Sequence, residues 1–518
     1  MSICQSNSMV EEGQFIHRNA FCAIDSECPV TCYRRIMDTI RMYDTLSREL
    51  RELPMGEAGQ FRFYVCGPTV YGPAHIGNFI TFVRFDVLYR LLKLAGYDPY
   101  YVRNITDVDD KTIRNAIESG ESLQSFTEKW TQRFHEDCQE LNMLDPDVEP
   151  RATAHIEEQI DMVKTLVEKD HAYVGGDGSV YYRVRSFSDY GKLSHFDPDA
   201  LQQQDTTSSG AVNLADEYER DSIADFALWK AHKDSDGSVY WDSPWGKGRP
   251  GWHLECSAMS RKYLGDAFDL HGGGEDLCFP HHENEIAQSE AATGKPFANH
   301  WVHSVHLLVE GKKMSKSLGN FFVLSDLHKK GYHPAEIRLA MLGGHYRQQF
   351  NFTVSGLDAA QSGLTKLETA VDGLLEKARL TREDWADFVK AEAPADWGPF
   401  SNAWAAFRND LNTPAVLGAL FNGLKRARKS VDSAEEASSC LSAAGALVYG
   451  LGLNLFARPD ATEQAGDAPA EVQAMAEQRW LAKKAKDFAG ADKLRDELSS
   501  KGWLVVDRPD GYSLTPKS

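Results

Sequence analysis

The chain has 518 residues, of which 42% are hydrophobic and 25% charged, and its formal net charge is −20. That length exceeds a single ordinary core and predicts roughly two to four domains. No window reaches the run of about 18 apolar residues that a membrane-spanning helix needs, and so acidic a chain gives no global signal for a nucleic-acid partner, although local basic patches still act within a screening length of about 10 Å.

Residues 1–41 read as an N-terminal extension, expected to be disordered. Glu11, Glu12, Asp25 and Glu27 fall where a secretory signal would need a continuous apolar stretch, so the cytoplasm is the expected compartment. Cys22, Cys28 and Cys32 cluster there, but no partner pair follows at zinc-finger spacing. Met37 and Met42 offer alternative starts. Nine cysteines in so long a chain do not read as a disulfide framework.

Residues 61–66 alternate and are rich in aromatics, which predicts a strand, and Gly67-Pro68 and Gly72-Pro73 then break the chain. From about Ala74 a helical pattern passes through Phe82, Phe85, Leu88 and Leu91 to Gly96, with a further strand at 99–103. Strand, helix, strand is the unit of a parallel α/β sheet. Residues 107–170 read as helices, and residues 171–250 change to Gly-, Asp- and Ser-rich turns between short aromatic strands, as an insertion would. Sheet-like sequence returns at 267–271 and 301–309, and Ala- and Leu-rich helices follow from about residue 355, which predicts a bundle. Pro459, Gly466 and Pro469 mark a linker over 457–470, followed by helices within 471–500 and a hairpin near 502–515.

Two segments carry chemistry. After the first strand the chain reads Cys66-Gly67-Pro68-Thr69-Val70-Tyr71-Gly72-Pro73-Ala74-His75-Ile76-Gly77-Asn78. A strand end feeding a helix N-terminus presents free N–H groups and a positive dipole end to a phosphate, and Gly77 permits close backbone approach. Alone, His75 is more simply a structural histidine. The second segment, Lys313-Met314-Ser315-Lys316-Ser317, lies between Gly311 and Gly319. Two lysines flanking small hydroxyls suit a mobile clamp on triphosphate charge.

His75-Ile76-Gly77-Asn78 resembles the HIGH signature of class I aminoacyl-tRNA synthetases, with Asn78 in place of the second histidine, and residues 313–317 match their KMSKS signature. Three further stretches resemble the cysteinyl-tRNA synthetase family: Tyr101 to Asp107, Gly251 to Met259, and His271 to Leu277 continued by Phe279 to Glu285. The resemblance runs from about Met42 to the C-terminal end. It implies a Rossmann-like parallel-sheet catalytic domain with an inserted domain, followed by an α-helical bundle and a small C-terminal α+β module. The boundaries expected are a catalytic first half at 42–170, an inserted connective domain at 171–250, and a second half carrying the metal at 251–310. A KMSKS and stem-contact region at 311–355, a tRNA-binding bundle at 356–456, the linker, and an anticodon-binding module at 471–518 would complete the chain.

By the same resemblance one zinc ion would sit on Cys66, Cys256, His281 and Glu285. His281 and Glu285, four apart, share a helix face, and thiolate, imidazole and carboxylate are ordinary zinc ligands. Cys278 and His282 are the rivals. A zinc-bound thiolate would separate cysteine from serine, which shape alone discriminates by only about 1–3 kcal/mol. His75, Asn78, Lys313 and Lys316 would act on the phosphates, with Gly77 beside them. Gly272, Gly273, Gly274 and Asp276 would receive adenosine, and Gly67, Thr69, Thr106 and Trp252 the substrate cysteine.

The implied partners are ATP with Mg²⁺, L-cysteine and tRNA(Cys), with no membrane and a monomer expected. Residues 479–518 carry nine Lys and Arg against six acids, and Lys425, Arg426, Arg428 and Lys429 form a second basic cluster. Both also fit solvated helix faces. Two other readings compete: a cysteine ligase of the mycothiol type acting on an amino sugar, and a non-catalytic RNA-binding paralogue.

Overall fold

The computed structural model describes residues 38–54, 56, 59–195, 224–315, 319–458, 468–485, 487–508 and 511–516. The expected extension therefore lies outside the described residues up to 37, Cys22, Cys28 and Cys32 included. Its last residues behave differently from the expectation. Ile40 is fully buried, Asp38 accepts the Trp404 indole N–H at 3.0 Å, and Arg41 already begins a strand. The folded part thus starts before Met42.

An antiparallel hairpin, β1 (Arg41–Asp44) and β2 (Glu49–Glu52), opens the fold. Strand β3 (Gln60–Val65) leads into α1 (Ile76–Leu94) and back to β4 (Asp98–Arg103), the expected crossover. Helices α2 (Asp110–Ser119), α3 (Leu123–Glu140) and α4 (Ile156–Glu168) follow. The inserted segment forms its own antiparallel sheet from β5 (Ala172–Val174), β6 (Val180–Tyr182), β7 (Phe226–Ala231) and β8 (Gly248–Pro250). Val180, Tyr182 and Leu228 of this sheet share a core with Ile160 and Val163 of α4.

The chain then supplies α5 (Trp252–Leu264), β9 (Leu270–Gly274), α6 (Glu283–Thr293) and β10 (Trp301–Ser304). The strand expected over 301–309 breaks after Ser304. β11 (Leu307–Val309) leaves the central sheet to pair with β12 (Lys312–Lys313) and β13 (Phe350–Phe352). Two short helices, α7 (Leu324–Lys329) and α8 (Pro334–Met341), separate β12 from β13. Next come the bundle helices α9 (Val354–Ala378), α10 (Ser401–Arg408), α11 (Thr413–Ser430) and α12 (Ala434–Leu451). The end of the chain forms α13 (Ala470–Lys484), α14 (Phe488–Ser500) and the hairpin β14 (Trp503–Arg508) with β15 (Gly511–Pro516), around a small core of its own that includes Val472, Ala476 and Leu498.

The central sheet is parallel throughout, in the order β10-β9-β3-β4. The chain moves outward from β3 to β4 on one side and from β9 to β10 on the other. The carboxyl ends of β3 and β9 therefore flank a crevice at the point where strand order reverses, the place where open α/β sheets bind ligands. Helix α1 buries fifteen of its nineteen residues, because it is covered by the sheet on one side and by the bundle on the other. That explains why its pattern is apolar all round rather than a stripe.

Three buried ions tie these parts together. Asp86 of α1 accepts from Arg90 Nε at 2.9 Å and from the guanidinium of Arg338 on α8. Arg338 also donates to the carbonyls of Leu451 at 2.9 Å and Leu141 at 2.8 Å. Burial pushes the Asp86 carboxyl up, but the two guanidinium groups outweigh it and hold it below the usual carboxylate range.

Candidate functional site

Cys66 follows β3 and its backbone N–H still donates to the Gly272 carbonyl of β9 at 3.1 Å, so the first residue past the strand sits in the crevice. The next residue must be glycine. A Cβ on Gly67 would stand 1.6 Å from the Asn104 carbonyl oxygen, and the Gly67 N–H donates to Asn104 Oδ1 at 2.9 Å. Helix α5 brings Cys256 from the other side, the turn entering α6 brings His281, and the first turn of α6 brings Glu285.

The four side chains meet. Cys66 Sγ lies 3.8 Å from Cys256 Sγ and 3.6 Å from Glu285 Oε1, and His281 Nε2 lies 2.9 Å from the same carboxylate oxygen. The four ligand atoms all fall within 4.8 Å of one another, and every one of the residues is buried. Burial pushes the Cys66 thiol far up. It raises Cys256 as well, but hydrogen bonds with Cys66 and His281 bring that thiol down to about 6. Glu285 is raised by burial and lowered more strongly by His271 and His281, to about 2. His281 moves the other way: burial lowers it, while Glu285 and Cys256 push it up to about 10. The cluster draws positive charge, and soft thiols with an imidazole and a carboxylate are the donor set of a transition-metal site.

Supporting groups orient these donors. His253 Nδ1 and His281 Nδ1 are 2.9 Å apart, which turns the His281 Nε2 toward Glu285. His271 Nε2 lies 2.8 Å from Glu285 Oε2. The Trp252 ring lies against His281, centroids 4.3 Å apart. Thr69 and Thr106 form a parallel bridge, and the Thr106 hydroxyl donates to buried Glu255 at 3.0 Å. Gly67 and Thr69, Thr106, and Trp252 thus come from three separate points of the chain, Gly67 next to Cys66, Thr106 bonded to the neighbour of Cys256, and Trp252 on His281.

The second group lies at the N-terminus of α1. His75 is the N-cap, with extended backbone at φ −106° and ψ 166°. Its Nδ1 accepts the Asn78 N–H at 3.2 Å, and Asn78 Oδ1 accepts the His75 N–H at 3.0 Å. Asn78 thus closes a reciprocal cap, a role the sequence did not announce. A Cβ at Gly77 would lie 3.0 Å from Met314 Cε, so the Lys313 segment reaches the same helix end. The Ile76 N–H also donates to the Phe322 carbonyl at 3.0 Å. Lys313 is exposed on β12, while Lys316 and Ser317 lie outside the described residues.

Gly272, Gly273 and Gly274 end β9, and Asp276 Oδ1 stands 3.4 Å from His306 Nε2. Close packing is one reason for these glycines: a Cβ at Gly272 would meet the Phe85 ring at 2.3 Å, and one at Gly273 the His282 ring at 2.9 Å. Of the rival ligands, His282 Nε2 lies 3.3 Å from Cys66 Sγ, whereas Cys278 joins neither cluster of donors. Asn104, His253, His271 and His303 support the site without having been singled out in the sequence. Each is a lone polar residue at a strand end or in a helix turn, and no spacing marks it.

Residues 52–362 match the family described as the class I (C) catalytic domain of tRNA synthetases. A cysteine–tRNA ligase from Opitutus terrae is 50% identical over 480 residues, covering 92% of this chain and 99% of that protein. One from Thioalkalivibrio sulfidiphilus is 44% identical over 482 residues, covering 91% and 98%. A solved structure of Mycobacterium tuberculosis methionyl-tRNA synthetase with methionyl-adenylate shares the fold, with TM-score 0.53 at 13% identity over 80% of this chain and 95% of that one.

Proposed function

Because the chain belongs to the cysteine–tRNA ligase family of class I aminoacyl-tRNA synthetases, we propose that Cys66, Cys256, His281 and Glu285 hold a single zinc ion that selects the substrate's thiol. The enzyme attaches cysteine to tRNA at the expense of ATP. The amino-sugar ligase and the non-catalytic paralogue lose ground because relatives named as the ligase match 91–92% of this chain. The observation that carries the metal reading is the meeting of four buried donors within 4.8 Å. Bound there, zinc would lower a thiol's pKa and favour sulfur over the hydroxyl of serine.

The chain's own residues do the rest. Trp252, Thr69, Thr106 and Gly67 close around the cysteine and fix its carboxylate toward the triphosphate. The reaction is an in-line attack of that carboxylate on the α-phosphate that breaks the α–β anhydride bond and releases pyrophosphate, so positioning and charge stabilisation dominate over proton relay. His75 and the positive end of the α1 dipole face the phosphates, with Gly77 leaving room and Asn78 holding the His75 backbone. Lys313 and Lys316 bring positive charge from the opposite side, and Mg²⁺ travels with the ATP. Gly272 to Gly274 and Asp276 receive adenosine at the end of β9. The resulting cysteinyl-adenylate acylates the terminal ribose of tRNA(Cys), and AMP leaves.

The bundle, with exposed Lys425, Arg426, Arg428 and Lys429, and the C-terminal module, basic over residues 479–518, supply the tRNA contacts. Cytoplasmic placement and a monomer complete the reading. It is compatible with the absence, among the described residues, of any helix long and apolar enough to cross a membrane. Metal analysis tests the central assignment: purified enzyme should hold about one zinc in a four-donor site. Cys256→Ser should lose both the metal and cysteine activation. A variant that kept full activation after losing its zinc would refute the role.

A further inference from the structure

Cys66 and Glu285 belong to two four-donor sets at once. Besides Cys256 and His281, they stand with His271 and His282, whose ligand atoms also lie within 4.8 Å of theirs, all four residues buried. The two sets use different faces of the shared residues. Glu285 turns Oε1 toward His281 at 2.9 Å and Oε2 toward His271 at 2.8 Å. Cys66 Sγ lies 3.8 Å from Cys256 Sγ and 3.3 Å from His282 Nε2.

The second set is built rather than incidental. His282 Nδ1 lies 2.8 Å from His303 Nε2, and His303 Nδ1 lies 2.8 Å from the Thr45 hydroxyl. With His303 donating to Thr45 and His282 donating to His303, the bare Nε2 of His282 faces Cys66, the outer-shell arrangement that orients a metal-binding imidazole. Gly273 leaves the space this ring occupies, since a Cβ there would approach His282 Cε1 to 2.9 Å. His271 Nε2 already faces Glu285 Oε2, but its Nδ1 is buried with no partner, so His282 is the better-supported imidazole of the pair.

We propose that Cys66, His271, His282 and Glu285 form a second seat for a borderline-soft divalent cation of the zinc class, overlapping the first through a shared thiolate and a shared carboxylate. Filling it divides the donation of Cys66 and Glu285 between two ions and weakens their hold on the resident one, so excess metal slows cysteine activation. The inference rests on the first set's being the resident metal site. Thiolate, imidazole and carboxylate are all ordinary ligands of zinc.

Equilibrium dialysis of the holoenzyme against buffered free Zn²⁺, with metal counted by mass spectrometry, tests it. Wild type should pass from one bound equivalent to two, and His282→Gln should keep the first and bind the second at least about tenfold more weakly. Pyrophosphate exchange should then be inhibited by excess Zn²⁺ in wild type and resist it in His282→Gln. A parallel Co²⁺ titration of wild type guards against a variant that fails to fold: the second equivalent should alter the thiolate-to-cobalt band, because Cys66 is shared. Saturation at one equivalent, or a second equivalent that leaves that band unchanged or persists undiminished in folded His282→Gln, overturns the second seat and leaves His271 and His282 as outer-shell supports. A count of zero overturns the resident-site reading instead.

Discussion

The side chain of Asn78 and the backbone of His75 hold each other: Asn78 Oδ1 accepts the His75 N–H at 3.0 Å while His75 Nδ1 accepts the Asn78 N–H at 3.2 Å. Both residues belong to the signature at the helix end, and the exchange fixes the His75 ring relative to the first turn of α1. Asn78→Ala removes the acceptor of the His75 N–H, the reciprocal half of the capping box, and should cost about 0.5–1.5 kcal/mol of stability. It should also slow cysteine-dependent pyrophosphate exchange by about ten- to a hundredfold through misplacement of His75. Asn78→Asp keeps the acceptor and should melt near wild type, yet its negative charge beside the triphosphate should slow exchange too. Equal melting of the Ala variant and wild type would show that the cap holds nothing.

Lys316 lies outside the described residues, and its assignment stands on the five-residue signature with Lys313 and Met314 placed beside Gly77. If it stabilises charge that develops in the transition state, Lys316→Ala should cut the adenylation rate by about 10²–10³-fold, as does losing one preorganised donor. The KM for cysteine should hardly move. An unchanged single-turnover rate would return Lys316 to the solvated surface.

Asp86 offers a pH test away from the metal cluster. Folding lowers its pKa, because Arg338 and Arg90 outweigh the burial that would raise it. Its contribution is therefore complete above the ordinary carboxylate value of about 4 and is lost as pH falls through the lower native value. Asp86→Asn should leave two buried guanidinium groups uncompensated and cost about 3–5 kcal/mol at neutral pH. Its denaturation midpoint should also fall less steeply than that of wild type below about pH 4. Parallel slopes for the two proteins would remove Asp86 from the acid response.

The C-terminal module has its own small core, and the last anchor before it among the described residues is Arg458, which pairs with Glu336 at 3.1 Å and with Glu368. A chain ending after Arg458 should keep cysteine-dependent pyrophosphate exchange within about twofold. It should lose most aminoacylation and show a weaker dependence on salt as phosphate contacts disappear. Measuring both activities on one preparation controls for misfolding. Aminoacylation that survived as well as exchange would end the proposed role of the module.

Much of this was legible in the sequence because the informative residues act locally. Strand β3, helix α1 and strand β4 follow from alternation, Gly-Pro breaks and apolar spacing, and His75 to Asn78 is a continuous motif on one turn. The cap formed by Asn78 was hidden because Asn is equally at home against a phosphate. The cysteine, histidine and glutamate cluster was reachable only by resemblance: Cys66 and Cys256 are separated by a whole inserted sheet, and nothing in their spacing says that they meet. The break after Ser304 escaped because an apolar run looks the same whether it continues one sheet or passes to the next, and β11 chooses Phe350–Phe352 as its partner through tertiary packing. The support from Asn104, His253, His271 and His303 is purely three-dimensional.

The most direct test of metal-based selection is pyrophosphate exchange with each of the twenty amino acids on one preparation whose zinc content has been counted, before and after chelation. Enzyme with its zinc should exchange with cysteine and reject serine by at least about 10⁴-fold, well beyond the 10–200-fold that shape alone provides. Chelated enzyme should lose cysteine exchange and regain it when zinc is restored. Serine exchange within about a hundredfold of cysteine, or cysteine exchange undiminished without zinc, would contradict the account.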